Sequence, residues 1–145
     1  MDKSVWKLFS KYHYLDANHN NNATVYVAYI NDNIAGFISV AAFPGLVHNR
    51  WRVHRLVVLP DYQGIGLGIK MLNDVAEIYK QIGKQMRIIT SAPSLIYSLK
   101  NNKNWNCSNF GKGDKLGGYK SLLSKSGSKK TSSTQSRYTA TFYYK

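Results

Sequence analysis

Apolar residues in the first half of the chain fall into three runs that predict β-strands. The runs ATVYVAYI at 23–30 and IAGFISVAAF at 34–43 are separated by Asn-Asp-Asn at 31–33, a sequence that favours a tight turn. The two runs therefore predict a hairpin. A third run, WRVHRLVVL at 51–59, ends before Pro60 and predicts another strand.

Other apolar residues recur at helical spacing. They predict a short helix at 5–14, a long amphipathic helix at about 65–82, and a third helix that begins near Pro93, where proline suits the first turn. The run QMRIITS at 85–91 predicts a strand between the last two helices. This succession of strand, helix, strand and helix argues for an α/β layer with at least one parallel strand pair.

The last third of the chain changes in composition. Residues at about 111–136 are rich in Gly, Ser, Thr and Lys, and strand candidates at 104–110 and 137–144 flank them. We interpret this segment as a basic flexible loop inside a terminal pair of strands. With 145 residues and no internal repeat, residues 1–145 are expected to form a single domain.

Cysteine content and hydropathy narrow the class of protein. The lone Cys107 excludes an intrachain disulfide and a multi-cysteine zinc site, and no other cluster of metal ligands is convincing, so no metal is expected. The longest apolar stretch, near 38–47, is too short to span a bilayer. We therefore expect a cytoplasmic protein with no membrane partner.

The net charge gives the first indication of a partner. Twenty Lys and Arg residues against seven acidic residues give a formal charge of +13. Such an excess creates a positive field that attracts phosphate-bearing molecules. A lysine-rich composition that merely keeps the protein soluble is the alternative explanation.

The strongest local signal is the glycine-rich sequence VVLPDYQGIGLG at 57–68, which lies between a predicted strand and a predicted helix. Gly64, Gly66 and Gly68 let the backbone approach a ligand, and the N-terminus of the helix offers unpaired N–H groups. The sequence therefore predicts an anion cradle suited to a pyrophosphate. It matches neither the dinucleotide-binding fingerprint, which needs a later ribose-binding acid, nor the P-loop, which ends in Lys-Ser or Lys-Thr.

This turn resembles the coenzyme A motif of the GNAT acyltransferase family, which has Gln or Arg, two residues, Gly, one residue, and Gly or Ala. Gln63, Gly66 and Gly68 occupy those places. The resemblance implies acetyl-CoA or another acyl-CoA as cofactor. It also implies a single-domain α/β fold with a mixed, mostly antiparallel sheet flanked by helices. That sheet would be splayed between the family's fourth and fifth strands, which here end at Leu59 and Ser91. The cofactor-binding residues it implies are Leu56, Val58, Gln63, Gly64, Ile65, Gly66, Leu67 and Gly68.

Two functional groups common in that family are displaced or missing. Many members carry a glutamate base near the start of the strand before the turn, where this chain has Arg52, and no acidic residue occurs between Asp32 and Asp61. Many also use a tyrosine as the acid toward the departing thiolate. The candidate here, Tyr97, stands about one turn away from the family's position relative to Trp105.

A looser resemblance links the chain to the Mom-type DNA-modification proteins of phages. It rests on the His13-Tyr14 pair, the basic content, and the strings RVHRLVVLPDYQGIG and RYTATFYY. It implies a GNAT-like transferase that modifies adenine in DNA as an anti-restriction device in the host cytoplasm. His13 and Tyr14 would then be catalytic, and Arg55 would contact the cofactor or the substrate. Ser91, at the strand end, is a further catalytic candidate, although capping of the next helix would also explain it.

The DNA hypothesis assigns a role to the basic loop. Lysines at 111–136 would contact phosphates, and tyrosines and tryptophans would stack on a base swung out of the duplex. Two alternatives remain open: an acetyl-CoA-dependent N-acetyltransferase acting on a small-molecule or protein amine, and a non-catalytic binding module. The sequence gives no indication of the oligomeric state.

Overall fold

Six strands form one mixed sheet in the computed structural model, which describes residues 22–43, 48–112 and 137–145. The spatial order is β1-β2-β3-β4-β6-β5. The β3–β4 pair is parallel and the other pairs are antiparallel. In chain order the elements are β1 (Thr24–Ile30), β2 (Asn33–Ala42), β3 (Arg50–Val58), a 3-10 turn (Pro60–Tyr62), α1 (Leu67–Gln81), β4 (Gln85–Thr90), α2 (Pro93–Lys100), β5 (Trp105–Lys112) and β6 (Tyr138–Tyr144).

These elements confirm the α/β fold predicted from the sequence, with boundaries that differ by one or two residues from those expected. The hairpin, the strand before the glycine turn, the long helix, and the helix at Pro93 are all present. The helix predicted at 5–14 and the loop residues 113–136 lie outside the described residues.

The β1–β2 hairpin has the backbone that its turn sequence requires. Asn31 and Asp32 have φ values of 48° and 63°. Two consecutive residues in the left-handed region give a turn whose twist matches that of the strands, and Asn and Asp tolerate this conformation better than other residues with a side chain.

The main core lies between α1 and one face of the sheet. The buried residues of α1 follow helical spacing and pack against side chains from β2, β4 and β6, which is the amphipathic arrangement that the sequence predicts. Residues of this core include Ile38, Val40, Met71, Leu72, Val75, Ala76, Tyr79, Met86, Ile88 and Phe142.

The opposite face of the sheet has a smaller apolar cluster around Phe37 and Val57. Strand β2 is therefore buried on both faces: Ile38 and Val40 point toward α1, and Phe37 points away from it. Successive side chains of a strand alternate between faces, so this cluster fixes which residues of β3 look away from α1.

A β-bulge interrupts that alternation at His54. Val40 pairs with Val53 and Ser39 pairs with Arg55, so one step on β2 corresponds to two on β3. As a result, Arg52 and Arg55 point to the same face of the sheet, away from α1, although three positions separate them. Regular alternation would have placed them on opposite faces.

Strands β3 and β4 separate soon after they meet. In the described chain they pair at Arg50 with Gln85, Trp51 with Met86, and Arg52 with Arg87. Beyond Arg52, β3 continues to Val58 without pairing to β4, while β4 pairs on its other side with β6. This V-shaped opening confirms the splay expected between these two strands.

Strand β6 lies between β4 and β5 in the sheet, an order that the sequence does not predict. Trp105 of β5 is 3% exposed and donates from Nε1 to Asn73 Oδ1 at 2.8 Å, which fastens β5 to α1.

In the described part of the chain, neither helix has the length and apolar character needed to cross a membrane.

Candidate functional site

The glycine-rich turn joins the open end of β3 to α1. Its backbone is left-handed at Gly64 (φ 80°) and at Gly66 (φ 81°), a conformation that glycine adopts without steric cost. Gly66 is the N-cap of α1, so the first turn of the helix begins directly at the end of the glycine sequence. The positive end of the helix dipole therefore faces this turn.

Gln63 holds the turn against the strand. Its side-chain Nε2 donates to the carbonyl of Val58 at 2.9 Å, and its backbone N–H donates to the carbonyl of Pro60 at 3.2 Å. The resemblance implied that the Gln63 N–H would contact a pyrophosphate. Because that N–H already has an acceptor, the amides left for a ligand begin at Gly64.

The amides of residues 64–68 form a donor set. The backbone hydrogen bonds nearest to them are those donated by Gln63 and Lys70, and no acceptor in the described chain pairs with the N–H groups between. The first N–H groups of a helix have no partner within the helix, so they suit an anion with several oxygens.

These donors open into a groove of about 490 Å³. The turn, the last residue of β3, and the first two turns of α2 enclose it. Most of the residues implied to bind a cofactor are brought together here. Its lining consists of Val58, Tyr62, Gln63, Gly64, Gly66, Leu67, Gly68, Ile69, Ser94, Leu95 and Ser98.

Two of the implied residues, Ile65 and Leu56, do not line this groove. Ile65 is 66% exposed, and the Cδ2 of Leu56 would lie 3.8 Å from a Cβ at Gly68. Their contribution to the site is the path of the backbone. At Gly68 a Cβ would make ordinary contacts with Leu56 and Val58, which explains why glycine or alanine suits this place.

The α2 wall of this groove was not among the residues implied to bind the cofactor. Ser94 and Ser98 stand one helical turn apart, with Leu95 beside them, and all three line the groove opposite the glycine turn. The signal in the sequence was the spacing of these two serines, which places both on one face of the helix. Its meaning depends on how α2 lies against β3, which the sequence does not give.

A second, larger groove of about 770 Å³ lies on the other side of α2. Ser91 and Tyr97 line it, and Tyr97 is 73% exposed. The nearby Thr90 Oγ1 accepts the Ala92 N–H at 3.2 Å, so Thr90, not Ser91, makes the local turn contact at the start of α2. The other lining residues are Ala92, Pro93, Ile96, Lys100, Phe110, Arg137 and Tyr138.

Arg55 is the one remaining catalytic candidate that lies within the described residues. Arg55 is 4% exposed, lies on the face of β3 away from α1, and lines neither groove. His13 and Tyr14 lie outside the described residues, as does most of the basic loop. Arg52 stands at the apex of the β3–β4 opening, paired with Arg87, a residue that the sequence reasoning did not single out.

Comparisons with known proteins agree with this geometry. The model of the acetyltransferase (GNAT) family matches residues 2–96, which is more than half of the chain. Among curated protein sequences, none matches significantly.

Solved structures share the fold. A Bacillus subtilis acetyltransferase in complex with CoA has a TM-score of 0.60 and 14% identity, covering 99% of this chain and 83% of its own. The ribosomal-protein-S18-alanine N-acetyltransferase from Escherichia coli has a TM-score of 0.59 and 14% identity, with coverages of 95% and 74%. A Bacillus anthracis protein in complex with acetyl coenzyme A has a TM-score of 0.57 and 15% identity; 86% of this chain is covered, but only 63% of that one.

Proposed function

Because the chain belongs to the acetyltransferase (GNAT) family, we propose that it is an acetyl-CoA-dependent N-acetyltransferase that acts on a small-molecule or protein amine. The observation that carries this proposal is that the free amides of residues 64–68 follow the end of β3 at which β3 and β4 no longer pair. A pyrophosphate-bearing thioester needs both an anion site and a slot for its arm. Here the two adjoin.

The residues present fit the cofactor. The amides of residues 64–68 would hold the pyrophosphate, and the groove lined by Val58, Ser94 and Ser98 would receive the start of the arm. Beyond Arg52, β3 and β4 no longer pair in the described chain, which leaves room for an extended ligand between the two strands. When bound, the cofactor would supply the acetyl group as an activated thioester.

The amine has to lose a proton when it takes the acetyl group, and the chain lacks the usual carboxylate for this. Strands β2, β3, β4 and β6 contain no Asp or Glu. His13 remains the proposed proton acceptor, with Tyr14 beside it, because a histidine titrates near neutral pH. Ser91, which lines the larger groove together with Tyr97, is proposed to contact the acceptor.

Two glycine substitutions test the cofactor site against a matched control. Gly66→Ala and Gly83→Ala both place a side chain on a left-handed residue, at φ 81° and 74°, and neither new Cβ meets protein atoms within 4 Å. The strain is therefore similar, about 1–2 kcal/mol. Gly83 follows the C-terminal end of α1, whereas Gly66 stands at its N-terminal end. In titration calorimetry, the affinity for acetyl-CoA should fall about tenfold or more in Gly66→Ala and should stay unchanged in Gly83→Ala.

Turnover is measured as thiol release with a panel of amines, each with and without acetyl-CoA. Release that depends on both substrates supports the proposal. If acetyl-CoA does not bind to the wild-type protein, the proposal fails and a non-catalytic module becomes the better explanation.

Modification of adenine in DNA is a second candidate, supported by the formal charge of +13 and by the basic loop at about 111–136. DNA would then be the partner, and its affinity should fall steeply with salt because phosphate contacts release counterions. Nucleoside mass spectrometry on DNA from cells that express the wild type or His13→Ala decides the matter. A new adenine-derived peak that the variant lacks would establish this activity, and its absence would leave the amine acetyltransferase.

A further inference from the structure

Two arginines face one another at the apex of the β3–β4 opening. Arg52 and Arg87 are direct cross-strand partners, on strands that lie about 4.8 Å apart in a sheet. Their neighbours Trp51 and Met86 pack into the core beside α1, so both arginine side chains point to the opposite face. The two guanidinium groups therefore start from adjacent places on one surface.

This pair stands among further cations. The bulge at His54 brings Arg55 to the same face, where it is buried. Arg50 lies two residues before Arg52 on β3, on the same face and further from the opening. The four acidic residues in the described chain lie on the β1–β2 turn, the 3-10 turn and α1, away from these strands. Like charges directly opposite each other destabilise a sheet, so the arrangement carries a cost that an anion between the two side chains would offset.

Hydrogen bonding leaves donors for such an anion. The Nε of Arg52 is buried and has no hydrogen-bond partner in the described part of the chain. Arg87 is oriented by Gln85, whose Oε1 accepts from Nε at 3.2 Å and from Nη2 at 3.1 Å. Those two bonds occupy two of the five N–H donors of the Arg87 side chain.

The location relates this pair to the proposed reaction. A cofactor arm that starts at the glycine turn and enters the opening runs toward its apex, so its reactive end lies nearer to Arg52 and Arg87 than its pyrophosphate does. Helix α1 fills the other face of the sheet. An acceptor that reaches the opening from the face opposite α1 therefore meets the two arginines.

We propose that Arg52 and Arg87 bind an anionic group, a carboxylate or a phosphate, of a small acceptor that also carries the amine. This inference rests on the proposed N-acetyltransferase function and deepens it by naming the class of substrate. Guanidinium groups are suited to it because they remain charged and grip carboxylate and phosphate oxygens in a fixed geometry. Arg52 thus occupies the place of the family's base with a different task, which is to select the acceptor.

Matched amine pairs provide the test. Thiol release is measured with an α-amino acid against its carboxamide, and with phosphoethanolamine against ethanolamine. For wild-type protein we expect at least one anionic member to have a kcat/KM about tenfold to hundredfold above its neutral partner, the range for one or two charge-assisted hydrogen bonds. The carboxylate and phosphate arms identify which anion is preferred.

Charge-removing variants separate binding from folding. Arg52→Gln and Arg87→Gln should erase most of the preference by raising the KM of the anionic amine, with little change in acetyl-CoA affinity. Arg52→Lys, which keeps a charge, should retain part of it. Lys103→Gln is the control, because it removes one exposed cation from the α2–β5 connection. A thermal-shift titration of each variant with the anionic amine gives a readout that does not depend on turnover.

The outcomes are distinguishable. Equal turnover of charged and neutral amines, or a preference that survives Arg52→Gln and Arg87→Gln, overturns the inference while the proposed acetyltransferase stands. Absence of acetyl-CoA binding and of turnover with every amine overturns both. Thiol release that requires a DNA oligonucleotide and does not occur with the small anionic amines also overturns the inference. The face that carries Arg52 and Arg87 would then bind a nucleic acid.

Discussion

The side-chain amide of Gln63 donates to the carbonyl of Val58 at 2.9 Å, and this bond ties the glycine turn to the last residue of β3. Gln63 is exposed, so its bond contributes modestly to folding, about 0.5–1.5 kcal/mol at most. Its larger effect is on the position of the amides that follow it. A side chain that donates at this place holds the turn against the end of β3.

Substitution of Gln63 should therefore separate cofactor affinity from stability. Gln63→Glu loses the donor and adds a negative charge beside the anion site, so we expect acetyl-CoA affinity to fall about tenfold or more, with a smaller loss for Gln63→Ala. Gln63→Arg keeps a donor and should bind nearly as the wild type does. Calorimetry measures the affinities, and equal affinity for the Glu and Arg variants would contradict this role.

Gly36 and Gly68 give a second prediction, about packing. A Cβ at Gly36 would stand 2.8 Å from the carbonyl oxygen of Val57, whereas a Cβ at Gly68 would meet Val58 Cγ2 at 3.6 Å. Gly36→Ala should lower the free energy of unfolding by about 1–3 kcal/mol, since neighbouring backbone has to move. Gly68→Ala should change it little. Urea unfolding of the two variants checks this, and a similar loss in both would show the reasoning to be wrong.

Tyr79 predicts an alkaline limit to stability. Burial raises its pKa to about 12 from an ordinary value of 10.0, with a smaller contribution from its hydrogen bond to Tyr26. Because the unfolded chain releases this proton more readily, the stability from neutral Tyr79 is fully present below about pH 10 and is lost as the pH rises toward 12. Unfolding free energies on both sides of pH 10 measure the slope.

The comparison with phenylalanine variants isolates that tyrosine. Tyr79→Phe should lose less stability between about pH 9 and pH 11 than the wild type does, because its buried ring has no proton to release. Tyr29→Phe, at a side chain that is 61% exposed, is the control and should follow the wild type. Identical pH profiles for Tyr79→Phe and wild type would rule out Tyr79 as the source.

The contact between Trp105 and Asn73 supplies a fourth prediction. The indole N–H is almost fully buried and donates to Asn73 Oδ1 at 2.8 Å. Asn73→Ala leaves this donor without its acceptor and should cost about 1–3 kcal/mol. Adding Trp105→Phe removes the orphaned donor, so the double variant should lose less than the sum of the single losses. Strict additivity in denaturant unfolding would contradict the contact's importance.

Local patterns were sufficient to predict the strands, the two helices and the glycine turn, because each depends on residues close together in sequence. The bulge at His54 was not predictable, since the residues around it continue a strand-like pattern and the extra residue is visible only against β2. The pairing of Arg52 with Arg87 joins positions 35 apart and depends on the parallel register. The Ser94–Ser98 wall likewise depends on how α2 packs.

The opening between β3 and β4 has a mechanical consequence. Within the residues that the structure describes, three residue pairs connect the half of the sheet that contains β1, β2 and β3 to the half that contains β4, β6 and β5, and α1 packs across both. A ligand bound between β3 and β4 would contact both halves of the sheet and would hold them together. At a concentration one hundred times its Kd it would add about 2.7 kcal/mol to the folded state. Ligand binding and folding are then coupled. Slower amide hydrogen exchange in β3 and β4 after addition of the ligand would show this coupling.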